Sequence, residues 1–282
     1  MTAEKATQQV RRFYDEIGWK KSGWLEFQNA QFEDLRPVSS EYIHRCHMRV
    51  NRFLNESGQY LLDIGSGPLQ YPEYLTYSAA YKFRVCLDIS LTALEQAREK
   101  LKGHGLYVLA DAARLPFRKD CFDGAVSLHT FHHLGMDDHL EAYREVYRVL
   151  KRKSHAVVVN GWKVSPFMKR FDRLMALAER FLQKKERPSQ KKINTQSSDS
   201  PQIPARTFVE EFNVPFLKTR LAGQVPLEIR VWRSVNVRFL RTLIHPRLGG
   251  RMWLKLIYWL EERFPHYLGE NGAYPMVIVD KK

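Results

Sequence analysis

Residues 60–70, YLLDIGSGPLQ, and residues 84–90, RVCLDIS, decide how this chain folds. A buried strand through Leu61, Leu62 and Ile64 delivers the chain to Gly65, Ser66 and Gly67. There the missing β-carbons allow a tight turn and let a ligand approach the backbone. Asp88 follows Gly67 by 21 residues, at the tip of the next strand. In a parallel nucleotide-binding sheet that position sets a carboxylate against a ribose, whose two hydroxyls need acceptors. Taken alone, the glycines also suit a purely structural turn.

The pattern repeats downstream. A third strand over 106–110, LYVLA, ends in Asp111 and runs into AARLPF, and a fourth over 122–128, FDGAVSL, opens into HTFHHL. A fifth is expected over 155–162. Periodic helices over 91–102 and 137–150 fit crossovers between parallel strands. Polar residues at successive strand ends predict an α/β sheet with its ligand in the crevice beyond those ends.

The ordered series LDIGSG, VCLDIS, ADAARLPF, FDGAVSLHTFHHL and YREVYRVLKRKSHAVVVNGW, over about residues 40–162, resembles the class I S-adenosylmethionine-dependent methyltransferases, in particular the methyltransferase type 11 group that includes the quinone methyltransferases. The resemblance implies a Rossmann-like, mostly parallel seven-stranded sheet with helices on both faces, an antiparallel C-terminal edge and helical cap elements. Its implied cofactor is S-adenosyl-L-methionine. Asp63, Gly65 and Gly67 would meet the methionine part, Asp63 facing its ammonium. Asp88 would accept from the ribose hydroxyls and Ile89 would pack on the adenine. Asp111 and the Ala112 backbone would read the adenine edge, and His129 would sit near the sulfonium. The chemistry agrees, since the amine, hydroxyls and amino group of such a molecule call for acceptors, and ionised carboxylates make the stronger bonds. Helix capping is the competing reading of Asp63 and Asp111.

Two features depart from the pattern. Lys151–Lys153 stand where relatives often carry a glycine pair, and Gln70 stands where a dinucleotide fingerprint wants its third glycine. Gln70 counts against one rival function, an NAD(P)-dependent oxidoreductase. An RNA-directed methyltransferase and a non-catalytic module also fit this fold. For proton transfer the candidates are His129, His133 and Tyr14, since an imidazole can accept the proton of an attacking hydroxyl. The spacing of His129, His132 and His133 matches no metal motif, and no metal is expected.

Cys46, Cys86 and Cys121 are scattered, which points to a reducing, cytoplasmic compartment rather than a disulfide framework. No apolar run is long enough to span a bilayer. Residues 1–162 carry 22 Lys and Arg against 20 Asp and Glu, whereas residues 163–282 carry 23 against 11. The excess positive charge therefore lies outside the cofactor half, and an acidic acceptor is expected: a small molecule, a saccharide or a lipid-linked compound. Three segments follow. Residues 1–55 are helical, with Val10, Phe13, Tyr14 and Ile17 on one face, and would fold over the cofactor. Residues 56–162 form the cofactor core. Residues 163–282 form a basic acceptor-binding cap, with an amphipathic helix over 167–182, a mobile loop over 183–204 and the closing strands of the sheet. The apolar and cationic helix over 250–263 fits either burial or peripheral contact with an anionic membrane, and nucleic acid fits less well because no recognisable RNA module appears. Oligomeric state is not legible.

Overall fold

The computed structural model of the chain describes residues 3–19, 33–185, 208–210 and 212–282. Helix α1 (Ala3–Phe13) runs into a π-helical turn, Tyr14–Gly18, and α2 (Ser40–Met48) continues as a short 3₁₀ turn. Then follow β1 (Gly58–Ile64), α3 (Pro72–Thr76), β2 (Tyr81–Asp88), α4 (Leu91–Leu101), β3 (Gly105–Leu109), β4 (Gly124–Leu128), α5 (Met136–Val149) and β5 (Ser154–Val159). The C-terminal part holds α6 (Pro166–Lys169), α7 (Asp172–Lys185), α8 (Val214–Leu221), β6 (Leu227–Arg233), α9 (Val237–Leu243), α10 (Gly250–Arg263), α11 (Pro265–Asn271) and β7 (Tyr274–Lys281).

The strands form one seven-stranded sheet in the order β3-β2-β1-β4-β5-β7-β6. β7 runs antiparallel to both β5 and β6, and the other pairings are parallel. Insertion of β7 between β5 and β6 separates this sheet from the 3-2-1-4-5-6 order of dinucleotide-binding folds. One face packs Leu62, Ile64, Val85, Leu87 and Val158 against the buried side of α5. The other packs Leu61, Val126, Val157, Trp232 and Ile278 with Tyr77 and Tyr81. A separate apolar cluster joins Cys46, Met175, Leu240, Leu254 and Tyr258, tying α2, α7, α9 and α10 together beside the sheet. No described helix is long and apolar enough to cross a membrane.

The helix expected over 167–182 is two helices. Ser165 caps α6 by accepting from the Met168 amide (3.1 Å), and a turn at Arg170 and Phe171 lets Phe171 pack edge-on against Phe239. α7 then continues to Lys185, so the first residues of the expected 183–204 loop are helical, and 186–204 lies outside the described residues.

Register decides a buried ion pair. Leu61 faces Arg84 and Asp63 faces Cys86, so Asp63 and Arg84 project from the same face of neighbouring strands. The Arg84 Nε donates to Asp63 Oδ2 at 2.9 Å and its Nη2 at 2.5 Å, while Nη1 donates to the Tyr74 carbonyl. Both residues are buried. Arg84→Ala would strand a carboxylate in the core, so a loss of about 3–5 kcal/mol is expected in urea unfolding. A loss below about 1 kcal/mol would show that removing Arg84 leaves no stranded charge at Asp63.

Candidate active site

The carboxyl ends of β1 and β2 are held together by the turn that follows β1. The Gly65 amide donates to Leu87 O at 2.7 Å and the Ser66 amide to the same oxygen at 3.2 Å. Gly65 and Gly67 have φ of +66° and +54°, the left-handed region that glycine enters without strain. A β-carbon on Gly65 would meet Thr130 Oγ1 at 2.2 Å, and Thr130 in turn donates to the Gly65 carbonyl at 3.2 Å. On Gly67 the β-carbon would come within 3.0 Å of the Trp19 ring.

Asp88 closes this arrangement. Its Oδ2 accepts from the Gly67 amide at 2.9 Å and its Oδ1 from the Ser90 amide at 2.9 Å, while the Ser90 hydroxyl caps α4 at Ala93 N. Burial nevertheless pushes the carboxyl up to about 6, the two amides opposing the shift. Since the unfolded value is about 3.9, this group favours the folded state below that pH, and the contribution is lost as pH rises through about 6. At neutral pH the ionised carboxylate is therefore poorly solvated, and a ligand bringing further donors stabilises it.

The N-terminal segment lies over this turn. The Tyr14 ring stacks on Trp19 (4.9 Å, 19° between planes), and its hydroxyl lies 2.7 Å from His133 Nε2. His133 Nδ1 is 2.8 Å from the Phe208 carbonyl and so carries the proton, which makes Nε2 the acceptor of the Tyr14 hydroxyl. Burial lowers His133 to about 4, and burial followed by the Asp88 charge raises Tyr14. Asp15 accepts from the Ser90 hydroxyl at 2.5 Å, a further tie between this segment and the Asp88 loop.

A second polar group gathers at the tips of β4, β5 and β6. His129 has φ of +57°, its amide donates to Val159 O at 2.7 Å, and its ring lies 5.2 Å from Trp232 and 5.7 Å from Tyr274. Burial, and then the nearby Arg233 charge, lower it to about 3. A register shift between Val231 and Arg233 interrupts the alternation of β6, so Trp232 and Arg233 both reach Tyr274. Arg233 Nη1 donates to Glu33 Oε1 at 2.6 Å. Burial pulls the Glu33 carboxyl up, but Arg233 and the Asp34 amide outweigh it and hold the group below the usual range. His47 stacks on Trp232 (5.2 Å, 13°), with Nδ1 3.6 Å from Glu73 Oε2, too long for a hydrogen bond. Arg233 Nε, Trp232 Nε1 and both His47 ring nitrogens are buried with no hydrogen-bond partner among the described residues.

Several sequence-based assignments meet other partners here. Asp63, expected to face an ammonium, is taken by Arg84. Asp111 accepts from the Ala113 amide (2.9 Å) and from Arg114 (2.7 Å) beside a buried Ala112, an Asx turn with no helix after it to cap. Both ring nitrogens of His133 are engaged, leaving no lone pair for an incoming proton in this conformation. Gly65, Gly67, Asp88, Ile89, Tyr14 and His129 do lie at the carboxyl edge. Arg233, Trp232, Glu33 and His47 were not foreseen; an arginine and a tryptophan ending a strand were the available signal. Among the described residues no group of three or more His, Cys, Asp or Glu is placed to hold a metal ion.

Comparison with known proteins bears on the same residues. Residues 62–158 match the model of a methyltransferase domain family. No curated protein matches the chain. Among solved structures the fold is similar to phosphoethanolamine N-methyltransferase 1 of Haemonchus contortus, bound to phosphoethanolamine and S-adenosylhomocysteine (TM-score 0.56, 11% identity, 100% of this chain and 50% of that one). The present chain thus spans half the length of that enzyme. It is also similar to geranyl diphosphate C-methyltransferase of Streptomyces coelicolor A3(2), bound to geranyl diphosphate, Mg2+ and S-adenosylhomocysteine (0.54, 12%, 100% of both chains). The 4+2 cyclase SpnF shares the architecture as well (0.51, 18%, 98% of this chain and 96% of that one). Residues 62–158 thus match a methyltransferase domain, within a fold that these solved structures share.

The Tyr14–His133 bond makes a checkable demand. Tyr14→Phe leaves a buried imidazole nitrogen unpaired and should cost about 1–3 kcal/mol in urea unfolding. The double variant with His133→Ala should lose less than the sum of the single variants. Strict additivity would show that the two side chains are not coupled.

Proposed function

We propose that the chain transfers a methyl group from S-adenosylmethionine to an oxygen or carbon of an acidic small-molecule, saccharide or lipid-linked acceptor. The observation that carries this reading is Asp88, a buried carboxylate of raised pKa bonded to the glycine turn, within a matched methyltransferase domain. The residues present suit the cofactor once Tyr14 and Trp19 move off the turn: Gly65 and Gly67 present backbone without β-carbons, and Asp88 is a carboxylate that is costly to leave without further donors, which two ribose hydroxyls would supply. When bound, the cofactor supplies a methyl group already activated on sulfur.

The chain's own part is then binding, alignment and exclusion of water. Residues 1–55 supply Tyr14 and Trp19 over the glycine turn and Glu33 and His47 near β6. Residues 56–162 hold the nucleoside. Residues 163–282 bring Trp232, Arg233 and Tyr274 to the acceptor side. Arg233 Nε and Trp232 Nε1 are donors only, and buried donors without partners call for oxygen acceptors, which a carboxylate or phosphate provides. Two structural neighbours are named with phosphate-bearing acceptors, which agrees with that chemistry. His129, neutral and lowered to about 3, is a weak base and suits orienting an acceptor better than removing a proton of ordinary acidity.

Calorimetry with S-adenosylmethionine tests the reading. Asp88→Ala should weaken binding by about 100-fold or more, the loss of two charge-assisted bonds. In the wild type, affinity should fall as pH drops through about 6, where Asp88 takes up its proton. Unchanged affinity in the variant, with a flat profile between about pH 5 and 8, would remove Asp88 from the site.

A further inference from the structure

α10 has two apolar sides, and only one of them is used for packing. Gly250, Leu254, Tyr258 and Glu261 face inward and are buried. That face is locked, because Glu261 accepts from Arg49 (2.9 Å), Tyr42 (2.7 Å) and the Ser234 amide (2.8 Å). On the opposite side Met252, Trp253, Leu256 and Trp259 are 66%, 50%, 44% and 58% exposed, and Leu248 in the preceding turn is 72% exposed. At about 100° per residue Trp259, Met252, Leu256 and Trp253 fall within one sector of about 120° on the helix. A contiguous apolar stripe with two outward tryptophans is not needed for folding, and soluble proteins rarely leave one uncovered.

Cations border this stripe. Arg251 and Lys255, one turn apart, line a cleft of about 260 Å³ together with Arg45, Glu41, Tyr42 and Tyr258. The Arg45 guanidinium lies 3.8 Å over the Tyr258 ring, which fixes it at the cleft wall. Arg247 and Arg263 are exposed at the two ends of the helix. Three cations against one carboxylate suit a phosphate-bearing headgroup, and the tryptophan stripe beside them suits the boundary between headgroups and acyl chains.

We propose that the outer face of α10 docks the protein on an anionic phospholipid bilayer, with a headgroup in the Arg45–Arg251–Lys255 cleft and Trp253 and Trp259 at the acyl boundary. Charge selects the bilayer over a second copy of the chain. A two-fold interface would set this patch against itself and bring Arg247, Arg251, Lys255 and Arg263 against like charges. The surface stands independently of the methyl acceptor.

Co-sedimentation of the full chain with vesicles of phosphatidylglycerol and phosphatidylcholine, against phosphatidylcholine alone, tests the proposal. Binding is expected to the anionic vesicles and not to the neutral ones, and to vanish at about 0.5 M salt. Trp253→Ser with Trp259→Ser, and separately Arg251→Glu with Lys255→Glu, should each weaken it at least about tenfold. All four side chains are exposed, so unchanged thermal midpoints and S-adenosylmethionine affinity are expected alongside. No binding by the wild type at low salt, or equal binding by all variants, would overturn the proposal. So would a wild-type dimer in sedimentation velocity that the tryptophan variant dissociates.

Discussion

One carboxylate, Asp88, joins three pieces of this protein. It accepts from Gly67 in the turn after β1 and from Ser90 at the start of α4, and it lies close enough to Tyr14 to shift that phenol. The turn cannot relax away, because Gly65 and Ser66 are bonded to Leu87 and a β-carbon at Gly65 would strike Thr130. The geometry is therefore fixed before any ligand arrives. Its cost is a buried charge with incomplete solvation.

The rest of the edge follows the same economy of buried polar groups. Asp63 and Arg84 satisfy each other beneath the turn, and Glu33 and Arg233 do so beside β6. Arg49 and Glu261 bind α10 to the sheet, since Arg49 also donates to the Trp232 carbonyl at 2.7 Å. Pairing of this kind contributes little net stability but makes misplacement expensive, since breaking one pair strands the other charge. Against that background the unpaired donors Trp232 Nε1 and Arg233 Nε stand out.

Much of the fold was legible. Apolar runs ending in polar residues located β1 to β5 to within a few residues, and the helix over 250–263 was read with its observed bounds. The glycine turn and Asp88 were readable because turn chemistry and strand spacing are local. What stayed hidden was non-local. Nothing in LLDIGSG shows that Arg84 lies beside Asp63, although an arginine in the apolar stretch RVCL signals a buried partner. The shift in β6 that aligns Trp232 with Arg233 leaves no mark in the sequence. Helices α8 and α11, each with a proline in its first two residues, are too short for a clear period. For α10 the apolar residues nearly encircle the helix, so composition alone did not say which side would remain exposed.

A crystal structure of the protein with S-adenosylhomocysteine tests the central role of Asp88 most directly. The ribose hydroxyls should lie within hydrogen-bond distance of the Asp88 oxygens, with the nucleoside against the Gly65–Gly67 turn. A nucleoside bound elsewhere, with Asp88 still bonded to Gly67 and Ser90 alone, would contradict it.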